Sequence, residues 1–430
     1  MPAGFSIMRI AVVGSGIAGL SAAWSLSRDH EVTVYERHVK PGMDAQSLDV
    51  SLGGVEARVD VPLRVIYEGY YPSLLEIYQQ AQIELEPVNY SASFGRLGGD
   101  THFRYENILL PFGKSFPFVK PSQLLSMKTR AILADLFRFL RATTSPADRA
   151  DIEALSIDDY LSVRGYSDAF SHGFLFPAFA GICTCSLESV KRYPAQIIAD
   201  YLGGGVLLTG VRRVVSGVRQ VVNRLLSQAS EVRCDAAVTE VTLSGEIVQV
   251  ADSRGERRDF DHLIIATQAN QALRFLETGF DEEHAVLSAF EYEKSRVVMH
   301  TDTRLAPSSR TNWSPVNFVH DGRDRAPMAT IWMNAVQPEL RKLDRPLFQT
   351  WNPVIDPRDE QILSDATFER PLVNLQTQAA IESLIRLHDK PGRRVWFCGS
   401  YAAQGVPLLE SATRSAMDVA RRINGSRSAH

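Results

Sequence analysis

An α/β fold built on a doubly wound parallel sheet is predicted by three observations in the sequence. Arg9-Ile10-Ala11-Val12-Val13 is a short apolar strand that runs directly into Gly14-Ser15-Gly16-Ile17-Ala18-Gly19. A helical stretch with small residues at Ala22 and Ala23 follows, and a second apolar strand, Val32-Thr33-Val34-Tyr35, delivers an acid, Glu36. Much later, two more apolar strands stop at small residues, one at Ala266-Thr267 and one at Gly399-Ser400. Strand, glycine turn, helix, strand and acid, in that order, form the signature of a dinucleotide-binding β-α-β unit.

Each residue of that unit has a physical task. Gly14 permits the tight turn, Gly16 lets backbone N–H groups approach a pyrophosphate at a helix N-terminus, and Gly19 lets the helix lie close to the strand. Glu36 accepts hydrogen bonds from ribose hydroxyls, with Arg37 beside it at the nucleotide. The predicted contact set of the turn is therefore Gly14, Ser15, Gly16, Ile17, Ala18 and Gly19.

Bulk composition narrows the class. At 430 residues the chain exceeds one compact core and suggests about two to three domains. Its 45% hydrophobic and 22% charged residues are those of a globular protein, and a net charge of -4 gives no reason to expect nucleic acid as a partner. No stretch approaches the roughly 20 apolar residues of a membrane span. Met1 to Met8 lacks the basic and long apolar regions of a signal peptide. Four scattered cysteines do not make a disulfide framework, which favours a reducing, cytoplasmic setting. Cys183 and Cys185 form a C-x-C pair without further ligands at metal-site spacing, so no metal is expected and the thiols read as buried structural groups.

Along the chain, a strand pair is expected around Val55 to Asp60. Ser73, with Glu76 three residues on, reads as the cap of a helix running through Tyr78. Residues 120–200 are mainly helical in pattern, with an amphipathic helix from Leu124 to Leu140 and a helix start at Ser156. Gly203-Gly204-Gly205 lacks a preceding strand and reads as a turn or hinge. Val211 to Leu226 is expected as one helix with Arg212, Arg213 and Arg219 on a solvated face. Strands at 231–234, 237–243 and 246–250 then form a hairpin feeding the buried strand that ends at Ala266-Thr267. The stretch 290–385 is strand-rich and aromatic, and Glu410 to Ile423 is a final helix.

This discontinuous plan resembles the flavin amine oxidase and phytoene desaturase superfamily of FAD-dependent oxidoreductases. Within it, the chain looks most like the NAD/FAD-binding proteins encoded near cyclopropane-fatty-acid-synthase-type genes. The similarity spans nearly the whole chain and is carried, beyond the glycine turn, by Val59-Asp60, Tyr71-Pro72, Phe290-Glu291-Tyr292, Met299-His300-Thr301-Asp302, Asn312-Trp313-Ser314, Trp332-Met333-Asn334, Asn352-Pro353 and Phe397-Cys398-Gly399-Ser400-Tyr401. The resemblance implies a Rossmann-like FAD-binding domain assembled from three chain segments, 1–60, 205–289 and 390–430. An α+β substrate-binding domain, 61–204 and 290–389, is inserted into it.

Carried over by position, the resemblance implies that Glu36 holds the adenosine ribose, that the Val238 backbone meets the adenine, and that Ala266 and Thr267 pass the nucleotide. Gly42, Gly399 and Ser400 complete the cofactor contacts, and the helix near Glu410 points its N-terminus at the flavin, where half a positive charge suits reduced flavin. The chain also departs from the pattern: Pro41-Gly42-Met43-Asp44 keeps only the first glycine of a usual pair, Asp44, Ala45, Gln46 and Ser47 replace commoner residues, and Ala412 and Ala416 stand where glycines are expected.

Flavin carries the redox step in such enzymes, so the protein supplies orientation and electronics. Three side chains are the catalytic candidates: Arg64, on a loop the resemblance runs along the flavin ring; Tyr401, beside Ser400; and Trp332, which with Trp313 and Asn317 is expected to roof the substrate cavity. Tyr67, Tyr70 and Tyr71 read first as core, and as an aromatic wall second. Lys294 reads as a surface residue rather than one near the flavin, and His300 as a structural histidine rather than a base. The implied activity is hydride removal from a largely apolar small molecule, acyl-like or polyketide-like, with reoxidation by oxygen or another acceptor. Amine oxidation and flavin binding without turnover are the alternatives. No second nucleotide motif is visible, and the oligomeric state is left open.

Overall fold

A computed structural model describes residues 7–97, 99–110, 114–276, 278–320 and 327–425; the opening residues 1–6, read above for a signal peptide, lie outside them. Arg9–Val13 lies at the centre of a five-stranded parallel sheet, flanked by Glu31–Tyr35 and then Glu231–Arg233 on one side and by His262–Ile265 and then Val395–Phe397 on the other. Strands from widely separated parts of the sequence thus share one sheet.

The central strand is buried on both faces, as expected of a parallel sheet. Ile10 and Val12 enter the larger core, where the helices Ile17–Leu26, Gly217–Leu226 and Leu409–Gly425 pack. Ala11 and Val13 face a second core with Ile381 and Leu384 of the helix Leu375–His388. Ile10 and Val12 are fully buried, and each such side chain is worth about 1.5–3 kcal/mol of burial. The antiparallel strands Val238–Ser244, Ile247–Asp252 and Arg257–Phe260 form a small sheet on this second side.

A second large sheet has eight strands: Ile362–Pro371, Tyr292–His300, Phe348–Trp351, Met328–Trp332, Val316–His320, Ala92–Arg96, Thr101–Leu109 and Ser115–Phe118, in that spatial order. All neighbours are antiparallel except the pair Val316–His320 and Ala92–Arg96. Helices between Met127 and Gly203 cover it, and Gly181 makes their approach possible: a Cβ there would stand 2.3 Å from the Phe318 ring.

Five expectations are corrected. Arg212–Val214 is a strand, and the helix begins only at Gly217; pairing with Leu85–Pro87 and with Ile66 overrides the local helical pattern. Arg213 is not on a solvated face, because it is buried against Glu86 and Glu339 at 2.5 and 2.8 Å. Ser73 is not a cap: Pro72 opens that helix, and the Ser73 and Leu74 N–H groups donate to the distant Glu410 carboxylate at 3.1 and 3.0 Å. Leu375–His388 is a 14-residue helix inside the stretch expected to be strand-rich, started by a reciprocal cap between Asn374 and Thr377. The helix expected from Leu124 begins at Met127, capped by Ser126. Ser156 does cap its helix, accepting from the Asp159 N–H.

Candidate active site

The glycine turn forms a cradle open on one side. Gly14 has φ +99°, a conformation that suits glycine, and its N–H donates to the Tyr35 carbonyl at 2.8 Å. A Cβ on Gly19 would stand 1.8 Å from the Gly14 carbonyl oxygen, so helix and turn touch there. Around a Cβ on Gly16 there is nothing within 4 Å. Gly16 also begins the helix Ile17–Leu26 with no side chain capping it. Free N–H groups therefore face an open space at the positive end of a helix, the arrangement that receives a pyrophosphate.

Glu36 is buried at the edge of this cradle and accepts from the Ser15 N–H at 3.1 Å, the Ser15 hydroxyl at 2.5 Å and the His38 N–H at 2.9 Å. Burial alone pushes its carboxyl up, but these donors outweigh it and hold the carboxyl below its ordinary value. The Ser15 hydroxyl also accepts from the Gly42 N–H at 2.6 Å, and a Cβ on Gly42 would stand 2.9 Å from Glu36 Oε2. Gly42 is thus where a second loop closes over the acid. Ala236 N–H donates to the Glu36 carbonyl, which brings the segment leading to Val238 alongside, whereas Arg37 is exposed.

From the cradle a cavity of about 420 Å³ extends to the eight-stranded sheet, within the size range of small-molecule sites. Gly16, Ile17, Ala18, Gly42, Ala266 and Thr267 form the end at the glycine turn, together with Gly399, Ser400 and Tyr401. The first turn of Leu409–Gly425 reaches the same wall through Leu408, Leu409 and Ala412. Glu410 turns aside to hold the helix Pro72–Gln80, so its carboxylate is spent on backbone N–H groups and does not line the wall. The departures noted in the sequence find their places here: Met43 lines the cavity, whereas Asp44 is buried in ion pairs with Arg58 and Arg219.

The far wall follows the period of two of its strands. Val316, Phe318, Ala329 and Ile331 face the cavity, so Asn317, Thr330 and Trp332 face the other way. Trp332 is therefore corrected: it packs its ring 5.5 Å from Trp313, outside the cavity. Asn317 hydrogen-bonds Ser314 and Thr330, and His300 binds the Thr350 hydroxyl at 2.7 Å while its Nδ1 accepts from the Asp302 N–H. Neither belongs to the wall, and Lys294 is exposed. Of the tyrosines, Tyr67 and Tyr71 line the cavity with Tyr201, whose carbonyl accepts from the Tyr67 hydroxyl at 2.8 Å, while the Tyr70 hydroxyl accepts from the Val406 N–H. Tyr401 presents its ring to the wall beside Phe290, and its buried hydroxyl has no hydrogen-bond partner.

Two cations and no carboxylate stand on the cavity wall among the described residues. Arg64 donates to the Pro62 carbonyl at 3.1 Å, and burial lowers its pKa against the opposing field of Asp60. Sequence reasoning missed the other cation, Arg370. Its Nε donates to the Thr184 hydroxyl at 2.9 Å, and its guanidinium lies 5.2 Å from the Trp351 ring centre. Thr184 is buried with φ +54° and ψ 41°, an uncommon conformation for a β-branched residue that costs of order 1–3 kcal/mol. The available signal was in-phase spacing: Phe368 and Arg370 share a strand face, which puts the arginine beside an apolar residue that looks inward.

An open glycine cradle, an uncapped helix N-terminus, an ionised acid at the end of the second strand and a contiguous largely apolar cavity fit a dinucleotide with an apolar ligand beside it. A family model described as an NAD(P)-binding Rossmann-like domain matches residues 12–81. No curated protein matches the chain in sequence. Among solved structures, a fatty acid isomerase from P. acnes, described as producing CLA, is similar at 14% identity and TM-score 0.65, over 96% of this chain and 98% of that one. A putrescine oxidase bound to putrescine is similar at 14% identity and TM-score 0.61, over 98% and 99%. An oxidoreductase from Methanosarcina mazei follows at 13% identity and TM-score 0.63, over 96% and 100%. At such identities the shared property is the fold. Among the described residues no helix is long and apolar enough to cross a membrane.

Proposed function

We propose, from the premise that this chain shares the fold of the flavin amine oxidase and phytoene desaturase superfamily, that it is an FAD-dependent oxidoreductase acting on a largely apolar small molecule. The observation that carries this reading is the continuity of the cavity. One end is backbone N–H groups, Gly16 and the Glu36 edge, suited to a dinucleotide; the other is Phe94, Phe318 and Ile331, suited to an apolar chain. When bound, FAD supplies the hydride acceptor, and the protein supplies position and dielectric.

The residues of this chain divide that work. Gly14 to Gly19 and Glu36 hold the adenosine diphosphate half. Gly399, Ser400 and the first turn of Leu409–Gly425 flank the other half, where a helix N-terminus stabilises negative charge. Arg64 adds a guanidinium to the same field, and the phenylalanine and tyrosine rings exclude water from the substrate. The reaction this arrangement would serve removes two hydrogens with their electrons from the substrate to form a C=C bond, for which FAD when bound would be the first acceptor and molecular oxygen or another acceptor the final one. Tyr67, Tyr71 and Tyr201 offer an aromatic surface of the kind an amine oxidase uses, but two guanidiniums with no carboxylate repel a cationic amine, so the apolar reading is preferred.

The test is spectroscopic. Purified protein is expected to show flavin absorbance, to release FAD on denaturation, and to bleach anaerobically with apolar acyl substrates but not with a panel of amines. Protein that stays colourless after incubation with FAD sinks the reading. Bleaching by amines, with peroxide released in air, moves the assignment to amine oxidation.

A further inference from the structure

We propose that Arg370 anchors the anionic head of an amphiphilic substrate, a carboxylate on an apolar chain, with Thr184 fixing the guanidinium in place; this rests on the reading that the cavity receives an apolar substrate beside FAD. The cavity wall is otherwise apolar where the eight-stranded sheet forms it, and the described residues place no carboxylate on it. A half-buried guanidinium on a largely apolar wall gains from a counter-charge, and no carboxylate of the described residues pairs with it.

The geometry says which part of Arg370 is free. Nε is spent on the Thr184 hydroxyl at 2.9 Å, and the Trp351 and Phe368 rings stand 5.2 and 6.0 Å from its central carbon. The two terminal nitrogens have no protein acceptor and are not sealed off. A planar fork held at one edge and presented at the other matches a carboxylate through two parallel hydrogen bonds. Burial and the nearby Arg64 push the Arg370 pKa down to about 10, so the group stays cationic at neutral pH and gains from an anion beside it. Arg64 is compensated in part, by the Pro62 carbonyl and the field of Asp60, which singles out Arg370 as the unpaired member.

The experiment compares three probes with one chain and different heads, dodecanoate, dodecanol and dodecylamine, binding at pH 7.5 to the protein after incubation with FAD, whose retention is read from its absorbance. Calorimetry gives the affinities, and fluorescence of Trp351, a cavity-wall tryptophan, gives a second reading with Trp351→Phe as the control. Dodecanoate is expected to bind at least about 10-fold more tightly than dodecanol, and dodecylamine more weakly than either. Arg370→Met should weaken dodecanoate about 10- to 100-fold while leaving dodecanol within about threefold. Thr184→Val should act in the same direction and less strongly, and Arg370→Lys should recover part of the loss. Equal affinities for acid and alcohol in the unaltered protein overturn the proposal, and this comparison needs no variant to fold. So does a head-group preference abolished by Arg64→Met but kept in Arg370→Met. Because binding is measured without turnover, a protein that prefers the acid yet holds no FAD refutes the flavin reading alone, and one that holds FAD without the preference refutes only this proposal.

Discussion

The cradle around Gly14 to Gly42 and the cavity wall around Phe318 to Arg370 adjoin each other but are specified in opposite ways. The cradle comes mostly from one short stretch of chain, in which Ser15, Glu36 and Gly42 hydrogen-bond within 27 residues of one another. The wall comes from many: Ala92, Ala178, Tyr201, Phe318 and Arg370 meet only because a sheet and its covering helices bring them together. A local device tolerates little change at any position, whereas a composite wall can exchange side chains singly. Cofactor binding is therefore the rigid property of this molecule, and the substrate wall is its adjustable one.

The sharpest way to break that contrast is Gly19→Val. Its new side chain meets the carbonyl of Gly14, a residue tied in place by its own N–H bond to the Tyr35 carbonyl. The expected loss is about 3 kcal/mol, read as a fall in melting temperature together with loss of bound flavin. A variant that folds normally and keeps its flavin shows that the turn is less constrained than its geometry requires.

Glu36→Ala comes next, stranding the Ser15 and His38 donors at a cost of about 1–3 kcal/mol and weakening FAD retention. A pH series sharpens it. The folded carboxyl titrates below its unfolded value of roughly 4.3, so its contribution is present above that value and is lost as pH falls through the folded pKa. The gap in melting temperature between the protein and Glu36→Gln should accordingly close in acid; a gap that stays constant to pH 3 removes the carboxylate from the account.

The histidines whose pKa desolvation pulls well down are divided evenly between the two large sheets. His262 and His388 lie in the nucleotide sheet and its packing, His102 and His300 in the other sheet, and burial lowers them to about 4, 3, 4 and 4. Each is neutral when folded and takes up a proton near pH 6.5 when unfolded. Stability is thus complete above pH 6.5 and falls as pH drops toward 4. Urea titrations of His300→Gln between pH 7 and 5 should show a slope smaller by about 1 kcal/mol per pH unit on average than the unaltered protein. An unchanged slope means that His300 is already protonated in the folded state.

The smallest effect tests the phase of the wall. Trp332→Phe should leave dodecanoate affinity within about twofold, with a stability loss of about 1 kcal/mol, because the ring packs on Trp313. Ile331→Asn, one residue earlier, points into the cavity and should weaken binding clearly more. The reverse order would place Trp332 on the wall after all.

The same contrast explains what could be read in advance. Gly14, Gly16, Gly19 and Glu36 act through spacing within one unit, and spacing is visible in a sequence. Gly399, Ser400 and Tyr401 were legible through resemblance to a known motif. Trp332 was misread because strand phase is set by partners: a shift of one residue exchanges the two faces. Arg370 was missed because its meaning lies in what is absent around it, a counter-charge, and in a hydroxyl 186 residues away. Arg213 looked like a helix-surface residue until Glu86 and Glu339, distant in sequence, arrived beside it.

Glu410 has a bearing on how the molecule is made as well as on how it stands. The helix Pro72–Gln80 donates two hydrogen bonds from its first turn to a carboxylate 337 and 336 positions later. On a ribosome, that helix therefore emerges long before its partner does, with its leading amides satisfied only by water. The neighbouring sheet is in the same position, since Val395–Phe397 is its last strand to be synthesised. Such late closure keeps apolar surface on display during translation. The position of one acid thus fixes how late in synthesis that helix can be completed.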